Sequence, residues 1–398
     1  MINNDNLNLN RTDQNDDSAG VERSMPQTDH GDNRLDFVDG FRGVAMIMVL
    51  IVHFGVLGCW KFHIGTQHHI FLDQSILSIG HYGVNLFLVI SGFCLYYPYA
   101  NKPTRPDPSL AHFAFRRCWR ILPPYYVALV LFAAYYIRQE LLRPTGQLHL
   151  LFHSLAWHAG MVYNLRPQYL LTFNGAFWTL ALEFQLYVLF PLLVVLYRRF
   201  NPRVIVLSAF VLSILYRILV TYGAHPEDLN SWVLYQSFLG RMYEFALGMY
   251  AARAVVHWRA NNVYPLAWID AIFVIALIPV ALFKYNQPYY LLGDSAWGTL
   301  FAAFIVLGSR RTGILHKCLS AKWLVKLGTF SYSVYLIHQP LVTIFCSRFP
   351  GLGGTRFILV EVGVLLPMVL ALGYAYHRCV ERPFMTPPRK HRTSAAVA

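Results

Sequence analysis

From residue 35 onward the chain is a series of long apolar runs separated by short polar connections. A membrane-crossing helix needs about 20 predominantly apolar residues, and a chain in lipid must satisfy its backbone hydrogen bonds within each helix. The pattern therefore predicts an all-α fold, that of a polytopic integral membrane protein with about ten transmembrane helices. The predicted spans are residues 40–58, 82–99, 121–138, 178–197, 203–222, 236–255, 265–283, 289–308, 328–347 and 356–377.

Three segments depart from this pattern. Residues 1–34 are rich in Asn, Asp, Ser, Gln and Thr, which predicts a disordered polar tail, and residues 386–398 form a short basic cytoplasmic tail. The segment 148–163 is apolar but too short to cross the membrane, so we expect it to lie at the interface or to re-enter. The remainder, residues 35–385, is predicted to be one membrane-bound domain.

Composition and charge agree with a membrane location and indicate the orientation. The chain is 56% hydrophobic and only 13% charged, whereas soluble domains carry about 25% charged residues. With the N-terminus inside, the predicted inner segments hold 23 of the 33 Lys and Arg residues and the outer loops hold 7. Because positive charge favours the cytoplasmic side, we predict cytoplasmic N- and C-termini in a multi-pass protein of the plasma (inner) membrane. This orientation explains the net charge of +13, so no nucleic-acid partner is expected.

Cysteine and histidine form no recognisable disulfide or metal pattern. The six cysteines are scattered without a CxxC pair, which argues against a disulfide framework and a zinc site. Four histidines of the first outer loop lack the spacing of metal ligands; they are His63, His68, His69 and His81. We therefore expect no metal and no bound cofactor.

The first predicted span carries two polar side chains, Arg42 and His53. Eleven residues make about three helical turns and about 16 Å, so both side chains project from one face. Arg42 then lies near the cytoplasmic surface and His53 in the outer half of the membrane. In one interpretation Arg42 reaches the lipid headgroups and His53 bonds a neighbouring helix. In the other, Arg42 binds a phosphorylated ligand and His53 is a buried base.

The fourth predicted span contains a lone carboxylate, Glu183. It lies about 7 Å below Trp178 at the outer boundary, close to the depth of His53, and Tyr187 follows one turn later. An intramembrane carboxylate marks a functional site by default. The structural alternative is an ion pair with Arg217 or Arg241.

The ninth predicted span places His338 about halfway along a helix, with Ser331 and Tyr335 on roughly the same face. This histidine either lines a functional path or simply forms a hydrogen bond between helices. Three further acids in or beside apolar runs are expected to pair structurally or to face a cavity rim; they are Glu244, Asp270 and Glu361.

An arginine cluster precedes the third predicted span: Arg116, Arg117 and Arg120. It suffices as a cytoplasmic membrane anchor. Arginines at this spacing beside an aqueous opening are also suited to binding phosphate groups.

Seven motifs together resemble those of one known family. They are LDFVDGFRGVAMIMVLIVHF, GVNLFLVISGF, FRRCWRILPPYY, FWTLALEFQLYVLFPLL, YEFALGM, FSYSVYLIHQPL and ERPF, in that order. Over residues 35–385 the chain resembles the acyltransferase 3 family, membrane-bound O-acyltransferases of bacterial surface sugars, antibiotics and lipid-linked glycans. The chain departs mildly from the family pattern in two places. Before Ser91-Gly92 it has one Phe where the family often has two, and in the fourth predicted span it has Trp178-Thr179 where the family usually has Trp-Ser.

The resemblance implies a cytoplasmic acyl-CoA, first of all acetyl-CoA, as co-substrate, and a hydroxyl of a carbohydrate or glycoside as acceptor at the bilayer. We assign His53 as general base or transient acyl acceptor and Glu183 as the carboxylate that orients it. The residues expected to bind the donor are Arg42, Arg116, Arg117 and Arg120. Those expected to line the acceptor path or cavity are Ser91, Trp178, Tyr187, Ser331, Tyr335 and His338.

A proton-coupled transporter or flippase of a glycan or glycolipid is the alternative from another class. Such a carrier also places His, Glu and Arg within the membrane. Carriers usually contain internal repeats, and the last five predicted spans do not repeat the first five. The sequence leaves open the acyl group, the acceptor, direct transfer against an acyl-histidine intermediate, and the oligomeric state.

Overall fold

The structure is a computed structural model that describes residues 35–62, 80–102, 104–106, 109–223, 236–261, 289–349 and 359–386. Within these ranges the chain is helical and contains no strand. The helices are α1 Asp36–Phe62, α2 Gly83–Asn101, α3 Leu110–Leu142, α4 Leu148–Ala159, α5 Pro167–Leu170, α6 Trp178–Arg199, α7 Pro202–Gly223, α8 Phe238–Asn261, α9 Tyr289–Gly308, α10 Ile314–Leu319, α11 Lys322–Arg348 and α12 Leu366–Tyr376. Two π-helical turns, Glu361–Leu365 and His377–Glu381, flank α12.

The predicted class, an all-α membrane protein, is confirmed. Six helical stretches in the described ranges are long and apolar enough to cross a membrane: Asp36–Gly55, Gly80–Asn101, Leu110–Leu142, Trp178–Arg199, Pro202–Val220 and Glu361–Phe384. Helices α8 and α11 coincide with two further predicted spans but are more polar. The number of ten spans and the orientation stay predictions.

Several sequence predictions lie outside the described residues. They are the polar tail 1–34, the histidines His63, His68 and His69, the span 265–283 with Asp270, and nearly all of the basic tail 386–398. The short apolar segment 148–163 is described, and most of it forms α4. This helix packs against α3, where the hydroxyl of Tyr126 donates to the carbonyl of Ala159 at 2.8 Å.

Close helix packing sets the geometry of the bundle. Helix α1 packs along α11 and α2, and α2 packs along α8, which also contacts α7 and α9. A Cβ at Gly92 would overlap the carbonyl of Phe245, and a Cβ at Gly248 would overlap that of Val89. Small residues allow such close approach between membrane helices. The position of α2 against α8 therefore depends on these two glycines.

The ERPF motif lies near the end of the described residues, where hydrogen bonds connect it and the preceding residues to other helices of the bundle. The hydroxyl of Ser333 on α11 donates to the carboxylate of Glu381 at 2.5 Å, and His377 Nδ1 lies 2.8 Å from the same oxygen. Tyr376 donates to the carbonyl of Pro124 on α3 at 2.6 Å. These bonds join α3, α11 and the turn that follows α12.

Candidate active site

A cavity of about 130 Å³ lies between α1, α2, α3, α6 and α11. We refer to it as the active-site cavity. Its wall includes eight of the twelve side chains singled out from the sequence: Arg42, Ser91, Arg117, Arg120, Glu183, Tyr187, Ser331 and Tyr335. Five helices that are distant in sequence thus bring most of the predicted site together.

One part of the cavity is cationic. Arg42 donates to the carboxylate of Asp39 at 2.7 Å and lies 3.3 Å from the thiol of Cys94. The guanidinium carbon of Arg117 lies 5.6 Å from the ring centroid of Tyr187. With Arg120 also in the wall, three guanidinium groups face one space. Such groups suit the oxygens of a phosphate ester.

Arg116 is not part of the cavity wall. Residues 117 and 120 are three apart and share one face of α3, whereas consecutive residues of a helix point about 100° apart. Two of the three clustered arginines therefore reach the cavity, and Arg116 is directed elsewhere.

Glu183 organises the hydroxyl groups of the cavity. Its carboxylate accepts hydrogen bonds from Ser91 on α2 and from Tyr187 one turn later on α6. The two hydroxyl oxygens lie 3.5 Å apart. Glu183 was expected to orient His53, but among the described residues its hydrogen-bond partners are these two hydroxyls.

His53 is instead bonded to His338. Nε2 of His338 lies 3.3 Å from Nδ1 of His53, and the ring centroids are 4.8 Å apart with the planes almost perpendicular. His53 Nδ1 also lies 2.9 Å from the carbonyl oxygen of Val49. His338 is fully buried, and its Nδ1 lies 2.9 Å from the carbonyl oxygen of Tyr335. We call this the His53–His338 pair.

The hydrogen bonds of the pair assign the tautomers. A carbonyl oxygen only accepts, so His338 Nδ1 carries its proton and donates to Tyr335. Neutral His338 then has a lone pair on Nε2, which accepts from the proton on His53 Nδ1. That proton is shared with the Val49 carbonyl. Nε2 of His53 is therefore the unprotonated nitrogen, the one that can act as a base.

The His53–His338 pair lies beside the cavity along α11. Ser331, Tyr335 and His338 are spaced four and three residues apart, so they share a helix face. The first two line the cavity, and the Tyr335 hydroxyl is 2.6 Å from that of Thr179 at the start of α6. The rings of Tyr335 and His338 are 5.5 Å apart. Tyr335 thus connects the cavity wall to the histidines.

Trp178 lies apart from the cavity wall. It is buried, and its ring stacks on His81 with centroids 6.2 Å apart. Nearby in sequence, Tyr82 stacks on Trp297 at 4.7 Å. Trp178 therefore belongs to an aromatic layer that joins the start of α6 to the segment before α2.

A second charged cluster, which we call the ion-pair network, consists of Arg217, Arg241, Glu244 and Asp294. Arg217 NH2 is 3.2 Å from Asp294 and 3.8 Å from Glu244. Arg241 pairs with Asp294 and lies 3.4 Å from Glu244. Asn85 bridges the network, since its oxygen accepts from Arg241 at 2.9 Å. The alternative in which Glu183 pairs with Arg217 or Arg241 is therefore wrong.

Three participants were not singled out from the sequence: Asp39, Cys94 and Asp294. Asp39 precedes Arg42 by three residues, a spacing that signals an ion pair within a helix. Asp294 is an acid inside a predicted span, to which the rule used for Glu183 applies equally. Cys94 had no such signal, because a thiol in an apolar run is usually a small hydrophobic residue.

Comparison with known proteins finds one family model, described as an acyltransferase domain, that matches residues 35–378. BcsY of Komagataeibacter xylinus, named as a candidate membrane-bound transacylase, is 28% identical over 325 residues, which are 78% of this chain and 74% of BcsY. No solved structure matches the chain.

Two further relatives are O-acetyltransferases named OatA. That of Staphylococcus aureus is 24% identical over 365 residues, 87% of this chain and 56% of OatA. The peptidoglycan O-acetyltransferase OatA of Listeria monocytogenes is 24% identical over 337 residues, 77% of this chain and 49% of OatA. The chain thus spans about half the length of these two relatives.

Proposed function

Because the chain belongs to the acyltransferase family whose model covers residues 35–378, we propose that it transfers an acetyl group from cytoplasmic acetyl-CoA to a sugar or glycoside hydroxyl. The family and the acyltransferase class of enzyme, both predicted from the sequence, are confirmed by the match. Relatives named as O-acetyltransferases, one of them acting on peptidoglycan, support the acetyl group and the carbohydrate acceptor.

The His53–His338 pair is the observation that carries the mechanism. Nε2 of His53 takes the proton from the acceptor hydroxyl while that oxygen attacks the thioester carbonyl carbon. The carbon–sulfur bond then breaks, and the CoA thiolate leaves with the proton that His53 returns. Acetyl transfer is complete, and the base is regenerated.

His338 acts in this proposal as a positioning residue. Its Nδ1 proton is committed to the Tyr335 carbonyl, so its Nε2 can only accept from His53. This bond keeps the proton of His53 on Nδ1 and the lone pair on Nε2. It also stabilises the positive charge that His53 acquires during transfer, as the partner of a catalytic histidine does in a hydrolase triad.

The active-site cavity is assigned to the phosphate end and the arm of the donor. Arg42, Arg117 and Arg120 bind phosphate oxygens of CoA, and the hydroxyls of Ser91 and Tyr187, held by Glu183, line the path of the arm.

The proposal keeps the predicted topology of ten spans with both termini on the cytoplasmic side of the inner membrane. In that orientation the first residues of α1, which include Arg42, face the compartment that contains acetyl-CoA. His53, eleven residues later, then lies toward the outer side, where a surface sugar would arrive.

The test is acetyl transfer by the purified full chain in nanodiscs, with radiolabelled acetyl-CoA and a panel of glycans. We expect His53→Ala to lower the rate about 100- to 10,000-fold, the usual contribution of a general base. The matched control is His153→Ala, because His153 is an exposed histidine of α4 outside the cavity. Its rate should remain within about twofold of the wild type.

Equal rates for the wild type and a folded His53→Ala protein would disprove the mechanism. If no glycan in the panel is acetylated, binding of acetyl-CoA decides the donor assignment separately. A donor site lost in Arg42→Ala supports the proposal, whereas a protein that binds no acetyl-CoA contradicts it and favours a transporter.

A further inference from the structure

A second cavity, of about 650 Å³, lies between α7, α8 and α9 and shares no residue with the active-site cavity. We call it the lateral groove. At one end it is lined by Arg203, at the start of α7, and by His257 and Trp258, near the end of α8. Arg253, one turn before His257, also belongs to its wall. The end of the groove at these helix termini is therefore cationic and aromatic.

The rest of the lateral groove is apolar and extends along the helices. A cavity of about 330 Å³ shares Arg203, Leu247 and Tyr250 with it and continues to Phe210 and Tyr243. Residues 243 to 250 cover about 10 Å of α8. The groove thus extends from its charged end along an apolar surface of α8.

Small side chains account for the depth of the groove. Ala251 and Ala254 of α8 face it together with Ala302 and Ala303 of α9. Side chains no larger than a methyl group leave the space between the two helices unfilled. A single large side chain at Ala303, which is partly exposed, would fill it without changing any charge.

The cations of the lateral groove have no acidic partner among the residues that the structure describes. In the part of the chain that the structure describes, neither Arg203, Arg253 nor His257 forms an ion pair with a carboxylate. By contrast, the buried arginines of the ion-pair network are balanced by two acids. The groove therefore presents positive charge to whatever enters it.

We propose that the lateral groove is a binding site for an anionic phospholipid of the cytoplasmic leaflet. The lipid phosphate lies between Arg203 and Arg253, and one acyl chain lies against Leu247, Phe210 and the alanines. A basic pocket between membrane helices on the cytoplasmic side has the chemistry to hold such a headgroup. A free phosphate would use only the charged end and leave the apolar length empty.

This site is independent of acetyl transfer and can be tested without it. The full chain in neutral detergent is titrated with short-chain phosphatidylglycerol, with phosphatidylcholine of equal chain length, and with inorganic phosphate, and the thermal unfolding midpoint is followed. We expect phosphatidylglycerol to raise the midpoint far more than the other two additives. Native mass spectrometry should detect one retained anionic lipid.

Two variants examine the two parts of the site. Arg203→Gln with Arg253→Gln should weaken the apparent phosphatidylglycerol affinity about 25-fold, since each cation near an anionic headgroup contributes about fivefold. Ala303→Trp should abolish the lipid effect by filling the groove. The matched control is Arg311→Gln with Lys322→Gln, which removes two charges from exposed positions that do not line the groove.

Three results would overturn the proposal. Equal stabilisation by phosphatidylcholine would remove the headgroup requirement, and equal stabilisation by inorganic phosphate would indicate an anion site without a lipid. A loss of affinity in the control as large as that in the arginine double variant would indicate a general surface-charge effect. Because Ala303→Trp retains both arginines, it remains informative if the arginine variant is unstable.

Discussion

Arginine side chains lie inside the helix bundle in two places, and the two sets differ in how their charge is balanced. In the ion-pair network, Arg217 and Arg241 face Glu244 and Asp294, so two positive charges meet two negative ones. In the active-site cavity, three arginines share a space in which Asp39 accepts from Arg42 and Glu183 accepts from two hydroxyls. Among the described residues, the first set has one carboxylate for each arginine, whereas in the second set one of the three arginines is ion-paired, with Asp39.

Charge balance thus separates structural from functional arginines within a membrane bundle. A buried charge without a partner costs several kcal/mol, so a balanced set needs nothing further. A set with excess positive charge is suited to an anion that arrives as a ligand. The same criterion distinguishes the lateral groove from the ion-pair network, although both involve α7 and α8.

Breaking the ion-pair network should have the largest effect on stability. Arg241→Met leaves Glu244 and Asp294 with one arginine between them in a buried site. Removing one partner of a buried pair costs about 3–5 kcal/mol, so we expect a markedly lower unfolding midpoint and a lower yield of folded protein. Thermal unfolding in detergent measures the midpoint, and the amount of folded protein recovered after purification measures the yield.

The compensating variant makes this result specific. Arg241→Met combined with Glu244→Met removes one charge of each sign and should recover most of the lost stability, because an apolar pair of similar size can replace a buried ion pair. If Arg241→Met unfolds like the wild type but no longer transfers acetyl groups, the network belongs to the catalytic machinery and the comparison fails.

Removing a cavity arginine should weaken donor binding and leave stability nearly unchanged. Arg117→Gln loses a charge-assisted hydrogen bond to the donor, which is worth about 1.5–3 kcal/mol. We therefore expect the Kd for acetyl-CoA to rise about 10- to 100-fold, measured by equilibrium binding in nanodiscs.

Arg116→Gln is the matched control for this measurement. It removes the same charge from the neighbouring position of α3, but its side chain is outside the cavity wall. Its Kd should change less than about twofold. Equal losses of acetyl-CoA affinity in Arg117→Gln and Arg116→Gln would mean that the donor is attracted by the positive charge of the whole arginine cluster. The contacts within the cavity would then be unimportant.

Altering His338, the positioning residue of the pair, should give a smaller, purely kinetic effect. His338→Ala removes one of the two acceptors for the Nδ1 proton of His53 and leaves the Val49 carbonyl as the other. One hydrogen bond of about 1.4 kcal/mol corresponds to about tenfold in kcat. The KM for acetyl-CoA should not change. His338→Gln should restore part of the rate, because its amide oxygen can accept the same proton.

The variant Glu183→Gln tests which of two residues, Glu183 or His338, is the functional partner of His53. With Ser91 and Tyr187 as its partners, Glu183 is expected to affect kcat less than His338 does. A larger loss in Glu183→Gln than in His338→Ala would restore the original hypothesis that this carboxylate orients the base.

Most residues of the candidate site were predictable because helical periodicity places them on common faces. Glu183 and Tyr187 are four apart, and their hydrogen bond follows from that spacing. The same argument separates Arg117 from Arg116. Arg42 and Glu183 were identifiable singly, because each is a polar side chain in an otherwise apolar run.

The partners of these residues could not be predicted in the same way. His53 and His338 are 285 residues apart, and depth in the membrane suggested Glu183 as the neighbour of His53. Likewise, the sequence allowed either Glu183 or Glu244 to form the ion pair with Arg217 or Arg241. The depth of a side chain in the membrane is only one coordinate of its position. It does not specify the direction of the side chain around the helix axis, and so it does not show which neighbouring helix the side chain faces.

The all-helical membrane class and the side chains that share a face of each helix followed from the sequence, because both depend on local composition and on the 3.6-residue period. The family followed from the seven motifs. Which faces meet is a property of the fold, since it depends on packing at contacts such as Gly92 against Phe245. That packing pairs His53 with His338, gathers three arginines into one cavity, and leaves the lateral groove open between α8 and α9.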